Sequence, residues 1–260
     1  MMPSARTICS HIMSTCLLFV AAHWTIVSTA AAANVPDFDL YNEILLQNVL
    51  NGFVNYDQIG ADSRFASFVE QLGSADIELP ETDEKRLALY INAYNAFAIQ
   101  GILNGESPAG KWGRRSFLKR QKYSLGGQAI GLESLASEKI FPIGDPRVHF
   151  AIVCASLSCP RLSGNAYQFE LINVQLHDAA KRFINDSTRN RFDLDRRIAF
   201  LSKIFEWHAE DFEAAGGSTQ RYLARFVNDA QVQDALRRDE FEVRYLEYDW
   251  NLNGRFNGKD

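Results

Sequence analysis

The chain has 260 residues, 47% of them hydrophobic, with 27 Lys and Arg against 32 Asp and Glu and a net charge of −5. That length supports one packed core rather than two. The acidic balance argues against nucleic acid as a partner.

Residues 1–33 differ in kind from the rest. Arg6 is their only charged residue; an apolar run follows from about Thr15 to Val27, and the segment leads into "STAAAANVPDF". A basic start, an apolar stretch and small residues before a cut define a secretory signal. Cleavage is expected after Ala33, leaving residues 34–260 as one domain with a charge of 26 minus 32, or −6. The apolar run carries His23 and Trp24 and is short for a span of about 20 residues. No stable membrane span is therefore expected after cleavage, and the protein reads as periplasmic or secreted. Of four cysteines, Cys9 and Cys16 leave with the signal; Cys154 and Cys159 remain. A close pair in an exported chain is a disulfide candidate.

Phe38 to Leu50 and Ser63 to Leu72 read as helices, with "NYDQIGAD" between them as a loop. "ETDEKRLALYINAYNAFAIQGILNG" is the clearest helix, capped by Thr82 or Asp83 and ending before Gly105. Its apolar residues Leu87, Tyr90, Ile91, Tyr94, Ala98 and Ile99 recur at helical spacing. The basic run Lys111 to Lys122 reads as a solvated loop and strand edge, with an anion-binding patch as the alternative. "YSLGGQAIGL" predicts a hairpin around Gly126 and Gly127, and Leu132 to Ile140 a short helix. Val148 to Val153 is almost wholly apolar and reads as a strand buried on both faces.

Phe169 to Ile184 predicts an amphipathic helix and Arg191 to Leu201 a hairpin. "SKIFEWHAEDF" reads as a turn and short helix, Thr219 to Leu236 as two more helical pieces, and "EFEVRYLEYDWNLN" as a terminal strand. Strands and helices mix without a βαβ rhythm. The expected class is α+β: a single compact domain of several helices around a small mixed or antiparallel sheet.

Three stretches carry candidate chemistry. In "VHFAIVCASLSCPRL", His149, Cys154 and Cys159 are the types a thiol enzyme needs. As a strand, five residues would span roughly 16 Å and place His149 and Cys154 on opposite faces. A direct dyad is then excluded unless the strand bends, whereas Cys159 returns on its loop. A Cys154–Cys159 disulfide is the bland reading, and a redox pair that opens and closes is a third. A zinc site from Cys154, Cys159, His149 and His208 is weaker, because this cysteine spacing is unusual for zinc; no metal or cofactor is expected. In "ALYINAYNAF", Asn92 and Asn95 share a helix face. They either hold irregular backbone or orient a catalytic group. In "IFEWHAEDF", Asp211 is suited to orient a histidine or to accept backbone hydrogen bonds, and His208 reads as a packing or surface residue, with a base as the alternative.

The chain resembles the DUF547 family, a domain of unassigned function. The matching elements are "LYINAYNAFAI" (Leu89 to Ile99), "DPRVHFAIVCASLSCPRL" (Asp145 to Leu162), "LSKIFEWHAEDF" (Leu201 to Phe212) and "YLEYDWNLN" (Tyr245 to Asn253). It departs where similar proteins carry an Ile-Glu-His element, since "LESLASEKI" has no histidine, and where His208 replaces an aromatic residue. The resemblance brings no reaction. The residues expected to share a pocket are Asn92, Asn95, His149, Cys154, Cys159 and Asp211. Two readings stand open: thiol-dependent acyl transfer with His149 as base, or a disulfide-braced envelope protein that binds a small molecule or peptide.

Overall fold

The computed structural model describes residues 34–258, so the expected signal segment lies outside the described residues. Among the described residues no helix is long and apolar enough to cross a membrane. The described residues open with helix α1 (Phe38–Asn48), strands β1 (Val49–Leu50) and β2 (Phe53–Asn55), and helices α2 (Tyr56–Ala61) and α3 (Ser63–Gly73). Helix α2 stands where a loop is expected. The Asn55 side chain caps it by accepting from the Gln58 N–H at 3.2 Å, and Tyr56 and Ile59, three positions apart, are both buried. That helical spacing is hidden within a polar stretch.

Helix α4 (Asp83–Leu103) is the centre of the fold. Thr82 caps it, and 15 of its 21 residues are buried. A helix apolar on nearly every side belongs inside a domain rather than on its surface. Gly105 follows in the left-handed conformation at φ +88°, which ends the helix without a Cβ clash. Helix α5 (Lys111–Arg115) runs directly into a π-helical turn, Ser116–Arg120. The basic run is therefore helical, correcting the expected loop and strand edge.

Strands β3 (Tyr123–Leu125) and β4 (Gln128–Ile130) form the expected hairpin, with Gly126 and Gly127 both at positive φ. Helix α6 (Leu132–Ser134) and π-helical Leu135–Ile140 follow. Helix α7 (Ile172–Ile184), strands β5 (Arg191–Asp193) and β6 (Ile198–Leu201), helices α8 (Ile204–Trp207), α9 (Ala209–Gly216), α10 (Thr219–Leu223) and α11 (Ala230–Arg237), and strands β7 (Glu242–Tyr245) and β8 (Gly254–Arg255) complete the order.

The fold is α+β as expected, but among the described residues the strands form three small sheets instead of one. β1–β2–β8 and β5–β6–β7 each combine an antiparallel and a parallel pair, and β3–β4 stands alone. The core divides into two apolar clusters. One surrounds α4; the other gathers Phe183, Phe205, Phe212, Tyr222 and Leu236.

The expected buried strand at Val148–Val153 is corrected. Asp145 accepts from the Arg147 N–H at 3.0 Å, Pro146 occupies the first helical position, and Pro146–Phe150 forms a 3-10 helix. An Asp cap followed by proline is a helix start, and here it prevails over the apolar run. Burial on both sides is correct all the same. Val148 packs into the α4 cluster and Phe150 into the other, so the segment lies on the seam between them.

The terminal strand is also shorter than expected. Only Glu242–Tyr245 pairs in register, parallel to β6. The chain beyond it crosses back to the loop between the two cysteines. Leu157 N–H donates to Asn251 O at 2.8 Å, Ser158 N–H to Asp249 O at 3.1 Å, and Asn253 N–H to Ala155 O at 3.1 Å.

Candidate functional site

His149 is the penultimate residue of the 3-10 helix and is buried at 3% exposure. Its Nε2 lies 2.7 Å from Oδ2 of Asp211, which sits in the first turn of α9. Burial lowers the His149 pKa against the opposing pull of Asp211, so the ring is neutral near pH 7. A carboxylate only accepts, so the proton resides on Nε2 and Nδ1 carries a free lone pair. That Nδ1 is buried and has no hydrogen-bond partner among the described residues. Asp211 thus stands where it can orient a histidine.

His208 stacks on His149, with ring centroids 3.9 Å apart and planes 21° apart. Phe141 packs against both rings. Burial and the neighbouring His149 push the His208 pKa down to about 4. His149, His208 and Asp211 bring ligand-type atoms within 4.8 Å of one another. The stack does not suit a shared metal. An imidazole binds a metal in its own plane at about 2 Å, and two nearly parallel planes one stacking distance apart share no such point. His208 would have to leave the stack.

Cys154 and Cys159 form a disulfide, the bland reading of the pair. Two donors face Cys159 Sγ. The Cys154 backbone N–H lies 3.0 Å away and the Tyr248 hydroxyl 3.2 Å. Around Cys154 Sγ stand the hydroxyls of Ser156 at 3.3 Å and Tyr248 at 3.5 Å. Burial pushes the Tyr248 phenol up to about 12, so it stays protonated and available to donate. Arg189 fixes the loop between the cysteines, donating to Cys159 O at 2.9 Å and Leu157 O at 2.7 Å.

Both sulfurs and His149 border a cavity of about 400 Å³, walled by Tyr94, Trp207, Tyr248 and Trp250. With a turn in place of a strand, the 16 Å separation of His149 from Cys154 no longer applies. At Trp207 and Trp250 this cavity meets a second one of about 550 Å³ lined by Lys111, Trp112, Arg114, Arg115 and Lys119. Trp207 and Trp250 lie 5.9 Å apart with planes 27° apart, and Arg114 covers Trp250 at 4.2 Å. Asp211 faces another hollow, of about 260 Å³, which His149 also lines. His149 therefore separates the two.

Asn92 and Asn95 do not line these cavities. Asn92 donates to Tyr167 O at 2.7 Å and accepts from Tyr167 N–H at 2.9 Å. Asn95 donates to Ala151 O at 3.0 Å and accepts from Val153 N–H at 2.9 Å. Each carboxamide replaces a strand neighbour for irregular backbone, the first of the two readings of the pair. Asn95 thereby fixes the path from His149 to Cys154.

His149 meets Asp211 and shares a cavity lining with both cysteines; the aromatic wall was not foreseen from sequence. Tyr94 sits in a helix whose apolar spacing marks it as core, and Tyr248 and Trp250 lie in the segment expected as strand. The two aromatic residues of "EYDW", interleaved with two acids, were the available signal.

An α4-centred α+β domain with a buried histidine bonded to a half-open aspartate, beside a disulfide, is thus the class defined by fold and site. Residues 80–184 match the DUF547 family, described as a protein of unknown function. The match takes in Asn92, Asn95, His149 and both cysteines and stops before Asp211, Trp207 and Tyr248. No curated protein and no solved structure matches the chain.

Proposed function

We propose that this is an exported binding protein whose ligand is a small ring-shaped organic anion, of the acidic-sugar type, seated against Trp207 and Trp250. The observation that carries this reading is the meeting of two cavities at those tryptophans, one aromatic and one basic. A sugar ring presents C–H groups to an aromatic face, and a carboxylate or sulfate pairs with Arg115 or Lys111. Neither of those cations has an ion-pair partner among the described residues. The positive rim stands out on a chain whose net charge is negative, and so it steers anions locally. In this reading the Cys154–Cys159 bond braces the floor of the cleft, and the leader of residues 1–33 directs the chain out of the cytoplasm.

The test is a tryptophan-fluorescence titration of the oxidised protein with an oligogalacturonide and with its methyl ester. Saturable change with the acid, weakened by Trp207→Ala and by Arg115→Gln, supports the reading. Equal response to the neutral ester, or no response to either, refutes it.

A second reading, thiol-dependent acyl transfer, draws support from the His149–Asp211 hydrogen bond and the free Nδ1 beside the same cavity. It applies only to the reduced protein, because a disulfide has no nucleophilic thiolate. It requires Cys154 to be the low-pKa thiol, alkylated rapidly by iodoacetamide. Slow alkylation there removes it.

A further inference from the structure

The two sulfurs of the disulfide are not equivalent, and the difference has a chemical meaning. Exchange with a thiol proceeds by in-line attack on one sulfur while the other departs as a thiolate. The better leaving sulfur is the one whose developing charge is met by donors already in place. Cys159 Sγ has a backbone N–H at 3.0 Å. That donor is fixed by the chain, cannot rotate away, and belongs to Cys154 itself. Tyr248 adds a hydroxyl at 3.2 Å, and its raised pKa keeps the proton on oxygen. Cys154 Sγ has only hydroxyl rotors, both farther away. Exposure points the same way. Cys159 is buried at 3%, whereas Cys154 is part-exposed at the wall of the aromatic cavity. The open sulfur is the one that can be reached, and the sheltered one is the one prepared for charge.

We infer that the Cys154–Cys159 disulfide is a thiol–disulfide exchange site in which a low-molecular-weight thiol attacks Cys154 Sγ and Cys159 departs as the stabilised thiolate. The thiolate RS⁻ forms an S–S bond to Cys154. The Cys154–Cys159 bond breaks, and its electron pair remains on Cys159 Sγ. A second thiolate attacks the sulfur of R in the mixed disulfide, releasing RSSR and leaving Cys154 as a thiolate. Two protons, lost by the thiols to water, are regained by the two cysteines. The net change is two RSH oxidised to RSSR and one protein disulfide reduced to a dithiol. His149 and His208 are neutral near pH 7 and add no positive charge to repel or attract the incoming thiolate. The inference stands apart from the identity of any anion in the cleft, because the donors belong to the loop and to Tyr248.

Two measurements test it. In the first, the oxidised wild-type protein is mixed with glutathione, quenched in acid and digested, and the glutathionylated cysteine is located by mass spectrometry. Glutathione on Cys154 is expected. Glutathione on Cys159, or a bond that stays closed when free glutathione disulfide exchanges, overturns the inference. In the second, the ultraviolet absorbance of the thiolate is titrated in the reduced single-cysteine variants Cys154→Ser and Cys159→Ser. The readout does not depend on reagent access, and serine retains the backbone N–H at position 154. Cys159 is expected to titrate below an ordinary thiol of about 8.5 and below Cys154. Adding Tyr248→Phe should raise it by about one pH unit, the value of a hydrogen bond to a charged acceptor. A lower pKa at Cys154 overturns the inference and is also the outcome that favours acyl transfer, so the two ideas separate. If a variant fails to fold, the glutathione experiment on the wild-type protein decides alone. Loss of anion binding would leave both results unaffected.

Discussion

His149 and Asp211 are 62 positions apart in the chain and 2.7 Å apart in the fold, with the histidine side chain sealed and the aspartate half open to solvent. The bond joins the seam segment to α9 across the boundary of the two apolar clusters. Asp211→Ala leaves a buried N–H without an acceptor and should cost about 1–2 kcal/mol in urea unfolding. Asp211→Asn retains an acceptor and should cost distinctly less. Equal losses for the two variants would mean that the hydrogen bond is not what the carboxylate contributes.

The stacked histidines set an acid limit on stability. Both have pKa values lowered by burial, His208 to about 4, against about 6.5 in the unfolded chain. The unfolded state therefore takes up protons first as the pH falls. The stabilisation is complete above pH 6.5 and is lost as the pH drops from there through 4. For His208 alone the loss between pH 7 and pH 5 is on the order of 2 kcal/mol. Chemical denaturation at a series of pH values should reveal that slope, and His208→Gln should flatten it. An undiminished slope in the variant would place the titrating groups elsewhere.

Asn95 replaces strand pairing for two buried backbone groups, Ala151 O and Val153 N–H. Asn95→Ala removes both partners at once and should cost about 3 kcal/mol, near the upper part of the range for stranded polar groups. Amide hydrogen exchange should report the loss at Val153 specifically. Protection that persists there would show that another acceptor takes over.

The disulfide closes a loop of about six residues, for which chain entropy gives on the order of 2 kcal/mol. Cys154→Ala and Cys159→Ala should lower thermal stability by similar amounts, and the double variant should be no worse than either. Unequal, additive losses would show that the side chains stabilise the fold by packing rather than through their bond.

Much of this was legible from sequence, in uneven ways. Helix α4, the 123–130 hairpin and helix α7 follow from periodicity and turn glycines, because their determinants are local. The cysteine pair and the role of Asp211 follow from residue type. Pro146–Phe150 misleads because apolar content records burial rather than backbone, while the Asp-Pro start that fixes the turn is only two residues long. His208 gives no local sign of its stacking, since its partner lies on a different element and the contact is created by the packing of α9 against the seam. The cleft is hidden for a related reason. Its walls come from α4, α8 and the last stretch of the described chain.

Cys154 and Cys159 are five positions apart, and nothing beyond Cys159 is needed to bring them together. Tyr248, which faces both sulfurs, is synthesised 94 residues after Cys154, and the Asp249–Asn253 stretch that grips the loop follows it. During synthesis the pair emerges first as an open, ordinary dithiol that any oxidant can reach. Only when the tail arrives is the bond enclosed, supplied with its phenol and walled by tryptophan. The newborn and finished forms of the same disulfide therefore meet two different chemical worlds, separated by the time needed to make one more stretch of chain.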